Sequence, residues 1–263
     1  DVEQWRKLAE EQLGTVGSGN HYVDLFEDEE GYVWIGVHFG SRGLGHKSAT
    51  KYMKDAGAVD GMMVEPTVVN VHSELGMRYL AAMRLAGYYA EAGRKWVVER
   101  VRKIIGGSVT DSINNHHNYA WNENGLWVVR KGATPAFPGQ RGFVGGSMGD
   151  NAVILEGTDT PNILNSTVHG AGRIMSRMEA RGKVNKKTGE VTRIGRISRE
   201  EMNDWLRARG VIRVGGDVDE APQAYRRLDQ VLGFHMGSVA VQHQLRPFAV
   251  LMAGANEFDP YKD

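Results

Sequence analysis

Glycine sets the terms on which this chain can fold. It supplies 34 of the 263 residues, well above the usual roughly 7%. Much of it is gathered into four short clusters: GSGNH at 17–21, GSRGLG at 40–45, GGSMG at 145–149 and HGAGR at 169–173. Glycine weakens the interior of a helix or strand and adopts the backbone conformations of tight turns. A chain punctuated in this way is built from short elements joined by closely turning loops.

The segments between the clusters fit that reading. Two apolar β segments, Tyr22 to Phe26 and Tyr32 to Phe39, are joined by the acidic turn EDEEG. Further short strands follow as LWVVRKG after NENG, RGFVGG after PGQ, NAVILEG, and LRPFAVLMAG near the C-terminus. Helices stand between them. DVEQWRKLAEEQLG is a polar helix, and Ser73 to about Ile105 carries apolar residues three and four apart, which predicts one long core helix or a pair broken near Gly93. DEAPQAYRRLDQVLG predicts another helix, and Ser198 with Glu201 forms a capping box for a short one. The expected fold class is α/β (α+β), a mixed sheet flanked by helices, in a single domain over residues 1–263. The charged stretch 182–210 is read as a surface excursion of that domain.

Composition excludes several classes. Lys+Arg and Asp+Glu balance at 32 each, so no global positive field advertises nucleic acid and any basic surface is local. No apolar run approaches the roughly 20 residues of a membrane helix, so no membrane partner is expected. With no cysteine there is no disulfide framework and no thiolate ligand, which fits a cytoplasmic protein.

Nine histidines are the main chemical resource. His21 and His38 sit at equivalent ends of neighbouring β segments, so antiparallel pairing would bring them together; His117 follows the long helix. Imidazoles from separate elements can converge on a divalent metal, although a hydrogen-bonded structural or surface role is the ordinary reading of any single histidine. His46, His72, His116, His235 and His243 take that ordinary reading. The glycine loops permit close approach of backbone N–H groups to an anion, and four of them, two with arginine and two with histidine, point to a phosphate-rich ligand. None matches the GxxxxGK[ST] P-loop or precedes a Rossmann-type βαβ unit. His169, directly before Gly170–Gly172, has two readings: a neutral imidazole nucleophile toward a nucleotide phosphate, or a cap on a following helix that would begin near Arg173. The residues alone leave both open.

Seven motifs, GSGNHY, HFGSRGLGH, NHHNYAW, RKGATPA, GGSMG, HGAGR and DEAPQAY, occur in the order and with broadly the spacing of the RtcB family of RNA ligases. The chain resembles that family from about Leu13 to Gly254. The resemblance implies an α/β fold with a deep metal-centred cleft and an enzyme that uses GTP and Mn²⁺. Such an enzyme joins RNA 3′-phosphate or 2′,3′-cyclic phosphate ends to 5′-hydroxyl ends through a covalent histidine-GMP intermediate. It places the nucleophile on His169 and the metal ligands on His21, His38 and His117. It places guanine nucleotide contacts on Asn20, Tyr22, Val23, Asp24, Asn118, Gly146, Ser147, Met148, Gly170, Ala171, Gly172 and Tyr225. Arg42, Lys131 and Arg173 take RNA or nucleotide phosphates. The implied partners are RNA, as tRNA halves or broken RNA, and an accessory activating protein.

Three departures from the family pattern stand out. The Asp-x-x-Cys motif that holds metal upstream of GSGNHY has no counterpart here, which leads to the expectation of an upstream segment of roughly a hundred residues or more. Met252 stands where the family has a lysine, and Ala152 where it has a serine. The missing motif and Met252 favour one alternative, a catalytically silent RNA-binding or interaction protein on the same scaffold; because the family must first open a cyclic phosphate, a metal-dependent phosphoesterase that does so without joining is another.

Overall fold

The computed structural model describes residues 2–59, 67–185, 187–254, 257 and 259. The chain runs through α1 (Val2–Gln12), β1 (Tyr22–Glu27), β2 (Val33–His38), α2 (Arg42–Asp55) and α3 (Glu74–Ile105). A run of strands follows: β3 (Asn118–Glu123), β4 (Leu126–Lys131), β5 (Ala133–Pro135), β6 (Arg141–Val144), β7 (Ala152–Gly157) and β8 (Ser166–Val168). Then come α4 (Arg177–Arg181), β9 (Gly182–Val184), β10 (Val191–Ile194), α5 (Arg199–Ala208), β11 (Ile212–Val214), α6 (Leu228–Gly233) and β12 (Val239–Met252).

The main sheet has the order β2-β1-β12-β7-β6, all antiparallel, with β11 added parallel to β12. It is the expected mixed sheet, and helices flank it. β12 links its two halves: Val239 to Leu245 pair with β7, and Arg246 to Met252 pair with β1. The register slips where Pro247 stands opposite Phe26. Proline has no N–H to donate to a ladder and is tolerated inside a sheet at such an irregularity. β7 shows why this sheet is a core: Val153 and Leu155 pack into one apolar cluster with Val144 and Leu228, while Ala152 and Ile154 pack into another with Phe26 and Leu245. Successive side chains alternate between faces, so a strand covered on both sides reads as the continuous apolar run AVIL.

α3 is one helix, not a pair. Ser73 caps it by accepting the Gly76 N–H, and Gly106, at φ 84°, ends it. Gly93 does not break it; a Cβ there would lie 3.2 Å from the Phe39 ring. The glycine allows close approach to the end of β2, which offsets its helix penalty of about 1 kcal/mol. The predicted helix over DEAPQAYRRLDQVLG shrinks to α6, preceded by single turns at Val218–Glu220 and Pro222–Ala224. Pro222 lacks the N–H that a continuous helix would need. Within 182–210, the β9–β10 hairpin is largely exposed, whereas Ile197, Met202 and Leu206 are buried with Met148, Val218 and Val250. Among the described residues no helix is long and apolar enough to cross a membrane.

Candidate active site

Four histidines meet because each lies at the end of a strand. His21 directly precedes β1, His38 closes β2, and the register Tyr22↔His38 brings them to one edge, with ring centroids 6.1 Å apart. His117 directly precedes β3, and His169 directly follows β8. Two pairings carry these last two together: Asn118↔Lys131 in the β3–β4 hairpin and Ala133↔Val168 between β5 and β8. Gly132, between β4 and β5, joins them. Its N–H donates to the His117 carbonyl at 2.8 Å, and its own carbonyl oxygen lies 2.8 Å from His169 Nδ1. At φ 72° this linking residue sits in the left-handed region that favours glycine.

The cluster is close-packed. His117 and His169 stack with centroids 4.3 Å apart, and His38 Nε2 lies 3.2 Å from His117 Nε2. Burial, reinforced by His117, His21, His169 and Arg94, holds His38 well below the usual imidazole range. Burial together with the neighbouring His169 pushes His117 down to about 4. Both rings are therefore neutral at physiological pH and have lone pairs to offer. Two imidazole nitrogens each roughly 2.1 Å from one tetrahedral cation lie about 3.4 Å apart, so the spacing fits a shared divalent ion. Among the described residues no group of three or more His, Cys, Asp or Glu side chains forms a complete metal site.

A cavity of 1680 Å³ opens over the cluster. Asn20, His21, Tyr22, His38, Arg42, His117, Asn118, Lys131 and His169 all line it. Val23, Asp24, Gly146, Ser147, Met148, Gly170, Ala171, Gly172, Arg173 and Tyr225 do not line it. The second group lies behind the first: an isolated bridge joins Gly145 to Gly170, and a Cβ on Gly145 would fall 2.5 Å from the Tyr22 hydroxyl. Met148 and Ala171 are core residues with buried side chains. Within both groups sit polar atoms that are buried and lack a hydrogen-bond partner among the described residues: Asn20 Oδ1, Asp24 Oδ1 and Ser147 Oγ. Native proteins satisfy nearly all such atoms, so this set fits a polar ligand.

Two expectations change. No helix starts behind the HGAGR turn; the next one, α4, begins at Arg177 and is capped by Ser176. His169 is thus not a helix cap, and Gly170–Gly172 gain no helix-terminal charge. Arg173 is occupied by the protein itself: its guanidinium bonds Glu220 Oε2 at 3.2 Å, the Asp219 carbonyl at 2.6 Å and the Tyr225 hydroxyl at 3.0 Å. Tyr225 also donates a short hydrogen bond to Glu220 and lies under the Arg173 guanidinium. This network straps the turn after His169 to the segment around Tyr225.

Sequence reasoning missed Arg94 and the role of Gly132. Arg94, on α3, donates to the Phe39 carbonyl at 3.1 Å and twice to Asn114 Oδ1, at 3.0 and 2.7 Å. It thereby ties the chain after His38 and the loop before His117 to one helix. An arginine on an amphipathic helix carries no local mark of such a role, and a carbonyl is common to every residue.

The chain is similar to known proteins over most of its length. A family model described as tRNA-splicing ligase RtcB matches residues 2–253. The RNA-splicing ligase RtcB of Escherichia coli K12 is 32% identical over 259 residues, covering 89% of this chain and 59% of the relative. The RNA-splicing ligase RtcB of Mycobacterium tuberculosis is 32% identical over 266 residues, covering 84% and 60% respectively. The tRNA-splicing ligase RtcB of Pyrococcus abyssi is 31% identical, covering 91% of this chain and 31% of the relative. The chain thus spans at most 60% of the length of these three relatives.

Proposed function

The chain belongs to the RtcB family, and on that premise we propose that it is the catalytic part of a cytoplasmic, GTP- and Mn²⁺-dependent RNA ligase. It joins RNA 3′-phosphate or 2′,3′-cyclic phosphate ends, from tRNA halves or broken RNA, to 5′-hydroxyl ends. The observation that carries this reading is the 2.8 Å approach of His169 Nδ1 to the Gly132 carbonyl. A carbonyl oxygen only accepts, so Nδ1 bears the proton and Nε2 keeps its lone pair. That is the tautomer and orientation a nucleophilic imidazole needs.

In the proposed sequence, His169 Nε2 forms a bond to the α-phosphorus of GTP as the bond to pyrophosphate breaks. A 2′,3′-cyclic phosphate end is first opened by water to the 3′-phosphate; GMP then passes from His169 to that phosphate, and the 5′-hydroxyl oxygen attacks its phosphorus, losing its proton to solvent as GMP leaves. His21, His38 and His117 would hold the divalent cation, which when bound neutralises charge on phosphoryl oxygens. Arg42 and Lys131, lining the same cavity, are suited to RNA phosphates. Asn20, on the cavity wall, offers the nucleotide an unsatisfied polar atom.

Intact mass after incubation with GTP and Mn²⁺ tests this reading. The wild-type chain gains the mass of one GMP, and His169→Ala gains none while melting at an unchanged temperature. An adduct that survives in His169→Ala, or no adduct on wild type under conditions where GTP and Mn²⁺ are both shown to bind, overturns it.

A further inference from the structure

The loop Gly17–Gly19 and the start of α2 enclose a carboxylate from the far end of the chain. Oδ2 of Asp259 accepts from the Ser18 N–H at 2.9 Å, from the Ser18 hydroxyl at 3.4 Å and from Arg42 Nη2 at 3.1 Å. The side chains of the Arg42–Asp259 pair are only 5% and 7% exposed. A backbone N–H, a hydroxyl and a guanidinium converging on one anionic oxygen form the donor set of an oxyanion site.

The backbone is shaped for that site. Gly17 has φ 86°, and a Cβ there would fall 2.0 Å from Arg42 Nη1. Only glycine lets the guanidinium lie against the loop. Arg42 itself has φ 53°, a conformation that costs a non-glycine residue stability and persists where the surroundings impose it.

Two observations point past the carboxylate to a larger anion. Arg42 Nη1 is buried and has no hydrogen-bond partner among the described residues, so the resident acceptor does not use all that the guanidinium offers. Arg42 also lines the cavity that holds His38, His117 and His169. Asp259, for its part, lies beyond residue 253, where the family match ends.

We propose that Asp259 is a built-in competitor for the phosphate that Arg42, on the wall of the histidine cavity, would hold together with the neighbouring Ser18. The carboxylate fills the site when no ligand is present, and an incoming phosphate group must displace it. The phosphate chemistry stands on the geometry; that the phosphate ends an RNA strand rests on the ligase reading. Because an occupied site binds only through its vacated fraction, the competitor weakens apparent affinity by that fraction.

Calorimetric titration of the whole chain, without GTP or metal, tests the proposal with inorganic phosphate as the probe. Asp259→Asn leaves the Arg42 charge without its counter-ion and tightens phosphate binding on the order of tenfold. The double variant Arg42→Gln/Asp259→Asn loses that gain. Unchanged or weaker binding in Asp259→Asn, or a gain that persists without Arg42, overturns the proposal. In the wild-type chain, which needs no refolded variant, saturating phosphate speeds carboxypeptidase trimming of the C-terminal residues; an unchanged or slower rate counts against displacement.

Repeating the titration with a short oligoribonucleotide bearing a 3′-phosphate, with its 3′-hydroxyl counterpart, and with GTP identifies the source. A gain confined to the 3′-phosphate strand assigns the site to the RNA end, and a gain confined to GTP assigns it to the nucleotide. Since no GMP adduct is measured, a chain that labels normally yet shows no Asp259 effect sinks this inference alone. A chain with the Asp259 effect and no adduct sinks only the ligase reading.

Discussion

Gly132 has no side chain, yet its carbonyl lies 2.8 Å from His169 Nδ1 and sets how that ring is held. Residue identity and residue role separate most clearly here. The histidines are legible in the sequence as a resource, and the equivalent ends of β1 and β2 place His21 beside His38 on pairing alone. The tautomer of His169 is not legible there, because it depends on a carbonyl brought close by two strand pairings. Asp24 shows the same separation. Its carboxyl is buried, with Oδ1 unsatisfied, and burial raises its pKa well above the usual carboxylate range against an opposing hydrogen bond from the Leu251 backbone. The unfolded chain ionises Asp24 first as pH rises, near 3.8, so this residue favours unfolding increasingly until the folded value is passed. Below the unfolded value both states are protonated and the penalty vanishes. Asp24→Asn should therefore melt roughly 2–4 °C higher at pH 7, with the gap closing as pH falls toward 4. A variant that melts lower at pH 7 would show the carboxylate to be stabilising instead.

Elements are legible in the sequence where their signals are local. The Ser198 cap, the acidic turn between β1 and β2 and the strand AVIL all stand where turn chemistry and periodicity put them. Legibility fails where one local signal has two physical meanings. Glycine within a helix marks either a break or a close approach, and Gly93 is the second kind. The packing role of α5 is hidden in a charged stretch because SREEMNDWLRA shows solvent mostly polar groups. Its few apolar residues nonetheless reach the core, where Met202 is fully buried and Leu206 nearly so. Truncating Met202 to alanine should cost about 2–5 kcal/mol in urea unfolding. A loss below about 0.5 kcal/mol, the range typical of surface substitutions, would mean that α5 lies on the surface after all.

At the scale of the whole molecule, a formal net charge of zero means that, on the proposed ligase reading, attraction of RNA falls to the cavity wall. Long-range steering requires a summed field, and here the local positive charge comes from cavity-lining side chains, Arg42, Arg94, Lys95, Arg102 and Lys131 among the described residues. Removing one such contact should then change the salt dependence of RNA affinity by one contact's worth. Lys131→Ala should lower the slope of log affinity against log salt by about 0.7 for a single-stranded RNA. An equal effect from Lys187→Ala, on the charged 182–210 stretch, would instead indicate diffuse attraction. The sequence by itself determined the short strands, the turns between them and the histidines at their ends, because periodicity and turn chemistry act within a few residues. Only the tertiary structure decided that His38 and His117 approach to 3.2 Å, that Arg173 is spent on Glu220 and that Asp259 closes on Arg42 across 217 positions. Those contacts depend on sheet register and burial, which arise only when distant segments pack against one another.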